Sequence, residues 1–389
     1  MRPAARVASS IELLEQWEAA GPFPFDRFAQ AWLAQRRYAG SKDRAAILDL
    51  CYALLRRRAG LDAELAGRGV APSWRLRALA VEGHAALQAT EHGVNPTETE
   101  RALLADFPSV GGGLPEWLAR ALPAVHLPKL DQPAPVDLRV RGDRTALAAE
   151  LEATFTPFAP SGVRLLKRAP LLCVAEGRAE VQDEGSQLVA LAALPVDGLD
   201  VLDRCAGAGG KTLALAEAGF PRRLVAADVS AARLAGLEER LARGRHGQRI
   251  ERVVAPAGDA WLATQRFDVV FVDAPCSGTG TLRRAPDLAW RLRPEDVARY
   301  VALQAAILDE VAPLVRPGGR LVYATCSLLP AENERQTQAF LSRHGEFEAA
   351  SLPLPGELWG PGPPARHELT LSPALTATDG FYVALFQRT

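Results

Sequence analysis

The sequence predicts a multidomain protein: an all-helical N-terminal part, a small α+β module, and a C-terminal α/β domain built on a doubly wound sheet. Three observations carry this prediction. Ser10 to Ala121 places apolar residues at helical spacing without a convincing strand, as in Ala45, Ile47, Leu48, Leu50, Cys51, Leu54 and Leu55. Pro123, Pro128, Pro133 and Pro135 then mark a connector, because proline interrupts helices and favours extended chain. From Val181 onward, short apolar runs alternate with helical segments, the pattern of parallel strands joined by crossovers.

These features divide the chain at 1–125, 126–180 and 181–389. In the middle module, Val136–Val140 and Leu171–Ala175 read as strands flanking a helical Thr145–Phe155. In the last domain, Leu199, Val201 and Leu202 form a strand, followed by the loop Asp203-Arg-Cys-Ala-Gly-Ala-Gly-Gly-Lys-Thr212 and a helix beginning near Thr212. A second strand, Arg223–Ala227, ends in Asp228. Val269–Val272 and Leu321–Ala324 are further strands, separated by the helical Pro294–Leu314. The Pro-rich Leu352–Pro364 reads as a surface loop, and there is no internal repeat.

Composition narrows the class. With 389 residues, 48% of them hydrophobic, and a formal net charge of −1, the chain suits several packed domains and not a disordered or fibrous protein. Met1 to Ser10 lacks an apolar core of signal-peptide length, and no apolar stretch is long enough to span a bilayer. A cytoplasmic protein with no membrane partner is expected. Five cysteines without any Cys-x-x-Cys fit thiols kept reduced, with no metal expected. The charge balance neither demands nor forbids a nucleic acid, since local patches decide that.

Two cysteines stand apart: Cys276 in Asp273-Ala-Pro-Cys-Ser-Gly278 and Cys326 in Ala324-Thr-Cys-Ser327, each just past an apolar run. Ligands of open parallel sheets bind outside the carboxyl ends of the strands, so both thiols can face one substrate. The alternative, small buried core residues, suits Cys51 and Cys173, which lie inside apolar runs. In the Cys205–Lys211 loop, Gly207, Gly209 and Gly210 let the backbone approach a ligand, and the helix that follows presents unpaired amides. A purely structural turn is the competing reading. A phosphate-binding loop of the form GxxxxGK[ST] fails, because its first glycine falls on Cys205. Asp228 stands where a nucleotide-binding sheet puts an acid for ribose hydroxyls, and Asp259 offers a carboxylate to an adenine amino group. An exposed acidic cap is the plainer reading of Asp259 alone. A cysteine nucleophile beside an adenosine cofactor fits methylation of pyrimidine carbon 5: thiolate addition at carbon 6 makes carbon 5 nucleophilic. A second thiol could then assist loss of the carbon 5 proton.

Together, Val181-Gln-Asp-Glu-Gly-Ser-Gln187, the Cys205–Thr212 loop, Asp273-Ala-Pro-Cys-Ser-Gly-Thr-Gly280, Arg283-Arg-Ala-Pro-Asp287, Ala324-Thr-Cys-Ser327 with Glu332-Asn-Glu334, and Asp379-Gly-Phe-Tyr382 resemble the Nop/Sun family of RNA cytosine-C5 methyltransferases, in order from Val181 to the end. The likeness is greatest to bacterial members acting on 16S ribosomal RNA. Gly40-Ser-Lys-Asp-Arg44 through Leu54-Leu-Arg-Arg57 is similar to the NusB-like helical domain preceding their catalytic part.

The resemblance implies a Rossmann-like (class I) methyltransferase domain that uses S-adenosyl-L-methionine to form 5-methylcytosine. It implies Cys326 as nucleophile, Cys276 in product release, and Asp273 against the cytosine edge. Cys205, Ala206, Gly207, Ala208, Gly209, Gly210, Lys211, Asp228, Asp259 and Asp273 would surround the cofactor, with Lys211 also reaching the active site. The chain departs from the family at Gly207-Ala208, where Ala-Pro is usual, which is expected to loosen the turn, and in Leu138-Arg-Val-Arg141, where Arg replaces a common Asn.

RNA is the expected partner of a monomeric enzyme, with ribosomal RNA ahead of tRNA. Arg283, Arg284, Arg291 and Arg293 could grip phosphates beside the pocket. Arg36, Arg37, Lys42, Arg44 and Arg56–Arg58 enrich the helical part, where a solvated helix face is an equal reading. The cytosine must leave its stack to react, so a single-stranded or opened target is expected. Two rivals stay open: a DNA cytosine-C5 methyltransferase, in which the Pro-Cys cysteine attacks, and a non-catalytic RNA-binding assembly factor on the same scaffold.

Overall fold

The computed structural model describes residues 1–82, 94–167, 170–244, 250–359 and 366–389. The chain falls into two compact units. One comprises 1–124, 129–132 and 282–292; the other comprises 125–128, 133–281 and 293–389. The small module and the C-terminal domain share one unit, and 282–292 belongs with the helices.

The helical unit contains Pro3–Ala19, Phe25–Ala34, Ser41–Gly67, Trp74–Glu82, Glu98–Leu104 and Glu116–Ala121, with no strand among its described residues. Local signals set several helix starts. Pro3 occupies the first turn of its helix, where a missing N–H costs nothing, and Thr97 with Glu100 forms a reciprocal capping box. Apolar stripes bury Leu13, Leu14, Phe25, Leu54, Leu55 and Trp74 in one core. The segment 282–292 is tied into this unit by polar contacts. Asp287 Oδ2 accepts the N–H of Phe25 (3.1 Å), the Trp290 indole donates to Leu55 O (3.1 Å), and Arg56 Nη2 donates to Arg283 O (2.8 Å).

The second unit holds two sheets. The smaller contains β1 (Asp137–Val140), β2 (Thr154–Phe155), β3 (Gly162–Arg164) and β4 (Ala179–Val181), in the order β2-β3-β1-β4, with antiparallel pairing. Two expectations are corrected here. Leu172–Ala175 is a short helix that buries Cys173, and the helix Arg144–Glu150 stops before β2. The five-residue apolar run Leu171–Ala175 fits either a strand or a buried helical turn, so spacing does not separate them.

The larger sheet contains β5 (Asp200–Asp203), β6 (Arg223–Asp228), β7 (Ile250–Val254), β8 (Phe267–Asp273), β9 (Val315–Thr325), β10 (Phe347–Ala349), β11 (Glu368–Leu371) and β12 (Phe381–Arg388). Its order is β10-β12-β9-β8-β5-β6-β7, with β11 on β12. β5 to β9 pair in parallel, whereas β12 runs antiparallel to β9, β10 and β11, so the sheet is mixed and not wholly parallel. Both faces are buried. Val269 and Phe271 enter one core with Val201 and Val322, while Val270 and Val272 enter the other with Leu202 and Leu321.

From β5 the chain runs outward through β6 and β7, then returns to β8 on the other side of β5. This reversal opens a crevice past the strand ends. Residues 352–359 include the 3-10 turn Gly356–Trp359; the remainder of the expected loop, 360–364, lies outside the described residues. Among the described residues no helix is long and apolar enough to cross a membrane.

Candidate active site

The crevice is a cavity of about 650 Å³ at the carboxyl ends of β5, β6 and β8. Its lining includes Cys205, Ala206, Gly207, Ala208, Gly210, Lys211, Asp228 and Asp273, eight of the positions picked out by sequence. The other two cofactor candidates are placed otherwise. Gly209 lies behind the lining at φ +80°, where a Cβ would stand 2.2 Å from Leu237 Cδ1, so it shapes the turn. Asp259 caps the helix Ala260–Thr264 through Leu262 N–H (2.8 Å), and is not among the lining residues.

The expected loosening at Gly207-Ala208 is countered by a closed turn. Ala206 N–H donates to Ala227 O (3.0 Å), Gly209 N–H to Ala206 O (2.8 Å), and Gly207 N–H to Asp228 Oδ2 (2.9 Å). Ser230 N–H holds the other Asp228 oxygen (2.8 Å), which orients a buried carboxylate with lone pairs to spare.

Sequence reasoning did not single out Asp203. Its side chain is buried at the end of β5, accepts Thr212 Oγ1 at 2.6 Å, and leaves Oδ1 without a hydrogen-bond partner on the cavity wall. Burial raises its pKa to about 7, opposed by Thr212 and reinforced by Asp273 and Asp228. The orphaned oxygen, the oriented Asp228 and the close-approach turn suit a ligand that carries hydroxyl and ammonium donors.

Cys276 and Cys326 are not among the lining residues, although Pro275, Lys211 and Asp273 are; their Sγ atoms lie 3.3 Å apart. They follow neighbouring parallel strands in register, with Asp273 of β8 opposite Ala324 of β9. The hydrogen bond with Cys326, then burial, hold the Cys276 thiol well above its ordinary range. Lys211 links thiols and cavity: its ammonium meets Asp273 Oδ2 at 2.5 Å and lies 5.3 Å from the Phe381 ring centroid. Burial alone would lower its pKa, but Asp273 and then Cys326 outweigh that, so Lys211 stays charged. Cys51 and Cys173 are buried elsewhere, with Cys51 pushed by burial to about 12.

Motifs without an assigned chemistry prove to be ties. Asp183 accepts N–H groups from Gly185 (2.8 Å) and Asp379 (3.1 Å), joining the Val181 and Asp379 motifs. The buried Glu332 accepts the Ser277 N–H (2.8 Å), both the Ser277 and Ser327 hydroxyls (2.5 Å each), and the Gln304 amide (3.0 Å). A charged residue soon after Thr-Cys-Ser was the available signal, but its partner loop lies far away in sequence.

The arginine cluster is revised. Arg283 is only 5% exposed, Arg284 is half-buried, and Arg291 pairs with Asp287 (2.7 Å) inside the helical unit. Arg293 alone of these is exposed. The reason is that 282–292 packs with the helices.

Residues 190–387 match the family model described as 16S rRNA methyltransferase RsmB/F. The chain is 34% identical to the ribosomal RNA small subunit methyltransferase B of Xanthomonas campestris pv. campestris, covering 88% of this chain and 89% of that one. It is 41% identical to the enzyme of the same name from Erwinia tasmaniensis over 54% of this chain, a match that spans only 47% of that relative. The crystal structure of PH0851 shares the fold, with a TM-score of 0.75, 22% identity, and coverage of 100% of this chain and 99% of that one.

Proposed function

The chain belongs to the 16S rRNA methyltransferase RsmB/F family, and from that premise we propose that it transfers a methyl group from S-adenosylmethionine to carbon 5 of a cytosine in small-subunit ribosomal RNA. One observation carries this: two thiols 3.3 Å apart beside a Lys211–Asp273 pair on the wall of the cavity.

Cys205–Lys211, Asp203 and Asp228 would hold the cofactor, which supplies an electrophilic methyl group. Asp228 would take the ribose hydroxyls, and Asp259 would serve as a helix cap near the adenine end. The Cys326 sulfur adds to carbon 6 of the cytosine, and the ring electrons pass to carbon 5, which would take the methyl carbon as that carbon's bond to the cofactor sulfur breaks. Asp273 holds the ring edge, and the Lys211 charge supports the thiolate. Once the Cys326 sulfur is bonded to carbon it carries no charge. The hydrogen bond that keeps the Cys276 proton in place is then lost, so Cys276 gives that proton to solvent water and, as the thiolate, can take the carbon 5 proton. The electrons of that C–H bond restore the double bond and expel the Cys326 thiolate.

Further parts of the proposal are a cytoplasmic, monomeric protein without a metal, and a NusB-like helical unit that contacts RNA. Support for the last comes from the basic residues Arg36, Arg37, Lys42 and Arg44. A tRNA substrate and a non-catalytic assembly role are the alternatives. Labelled S-adenosylmethionine offered with stripped ribosomal RNA, tRNA and DNA decides among them: label in small-subunit ribosomal RNA alone supports the proposal, and no label in any of them defeats it.

A further inference from the structure

We propose that Glu332 is a positioning residue that sets the spacing of the two thiols and assigns their roles. The inference rests on Cys326 and Cys276 being the reacting pair. Glu332 itself is firmly held. Its N–H donates to Leu329 O (3.0 Å), its carbonyl accepts the buried Tyr323 hydroxyl (2.6 Å), and the neighbouring Asn333 binds Thr325 Oγ1 (2.7 Å) and Ser327 O (2.9 Å).

From this anchor one carboxylate reaches both cysteine loops. Ser277 follows Cys276, Ser327 follows Cys326, and Oε2 accepts both hydroxyls at 2.5 Å. Oε1 takes the Ser277 N–H and the Gln304 amide, which also holds Pro275 O (2.9 Å). The two serine hydroxyls stand 3.1 Å apart, so the clasp brings the loops together one residue beyond the sulfur atoms. Charge-assisted bonds in a water-poor site hold such geometry closely.

The clasp is also a fixed negative charge on the Cys276 side. The titratable groups coupled to Cys276 are Cys326, Glu332, Tyr300 and Tyr323, whereas Lys211 is coupled to Asp273 and Cys326. Cys326, then burial, oppose ionisation of Cys276 most strongly and Glu332 adds to them, while Lys211 lies toward Cys326. The arrangement keeps a proton on Cys276 and leaves Cys326 as the sulfur that attacks.

Two variants of the full chain separate reach from charge. Glu332→Gln keeps the length and removes the charge; Glu332→Asp keeps the charge and loses the span. Both should lower single-turnover methyl transfer to small-subunit ribosomal RNA at least about tenfold, with the Kd for S-adenosylmethionine and the KM for RNA within about twofold of the parent. Iodoacetamide alkylation of Cys276, followed by peptide mass in a Cys326→Ser background, supplies a readout independent of turnover. Its pH midpoint should fall by about one unit in Glu332→Gln and stay put in Glu332→Asp. Should Glu332→Gln not fold, Ser327→Ala removes one tie and should give a partial loss of rate at an unchanged midpoint. An unchanged rate and midpoint in Glu332→Gln would overturn the proposal, as would a rate loss that merely tracks weakened cofactor binding. If the parent protein transfers no methyl group, the functional reading fails, while the alkylation midpoints still decide the role of Glu332.

Discussion

Gly280 and Gly380 pack backbone against backbone. Gly380 N–H donates to Gly280 O (2.8 Å), and a Cβ on Gly280 would stand 2.0 Å from Gly380 O. Gly280 N–H in turn donates to Cys326 O (2.9 Å), so three motifs distant in sequence meet at one point. The conflict is with backbone, which no side-chain rotation relieves. Gly280→Ala should therefore destabilise the protein by about 1–3 kcal/mol and slow methyl transfer further by displacing the Cys276 loop. Urea unfolding and single-turnover assays measure the two effects; wild-type values in both would refute the packing argument.

The thiol pair predicts opposite phenotypes. Cys326→Ala should abolish methylation and covalent RNA adducts together. Cys276→Ala should accumulate an adduct that resolves slowly, visible as RNA-linked protein on a denaturing gel. Adduct trapped by Cys326→Ala, with normal release by Cys276→Ala, would reverse the assignment.

Asp203 links stability to pH. Its folded pKa of about 7 lies above the ordinary 3.8, so the folded state binds the extra proton. The contribution is fully present below pH 3.8 and is lost as pH rises through 7. Asparagine stays neutral throughout. Asp203→Asn should raise the Tm at pH 8 by more than it does at pH 5, and an equal change at both pH values would exclude a buried carboxyl titrating near 7.

Asp287 probes the membership of 282–292 in the helical unit. Its buried carboxylate accepts the Phe25 N–H and Arg291 Nε. Asp287→Ala leaves both donors short of a partner and should cost about 1–3 kcal/mol. Thermal unfolding of the full chain tests this, and an unchanged Tm would show that these bonds contribute nothing net.

Much of the site was legible because its signals are local. A strand end followed by small residues, an acid after the next strand, and a cysteine after each of two apolar runs survive as sequence patterns whatever the rest of the chain does. The Lys211–Asp273 pairing then follows from β5 lying parallel beside β8, and the Cys276–Cys326 pairing from β8 lying parallel beside β9. The same locality explains what spacing missed: Leu171–Ala175 is too short to separate helix from strand, the cap that Asp259 makes on its own helix depends on backbone geometry, and the burial of Arg283 depends on another segment.

By itself, the sequence determined the alternating elements, the turn before the helix at Gly210, and the chemical identity of the thiols, because each depends on residues adjacent in the chain. Only the tertiary structure decided the 3.3 Å sulfur separation, the clasp of Glu332 on Ser277 and Ser327, the antiparallel β12, and the place of 282–292. Those features join segments far apart in sequence. Each depends on which buried groups meet once the sheet has formed, and no spacing along the chain encodes that.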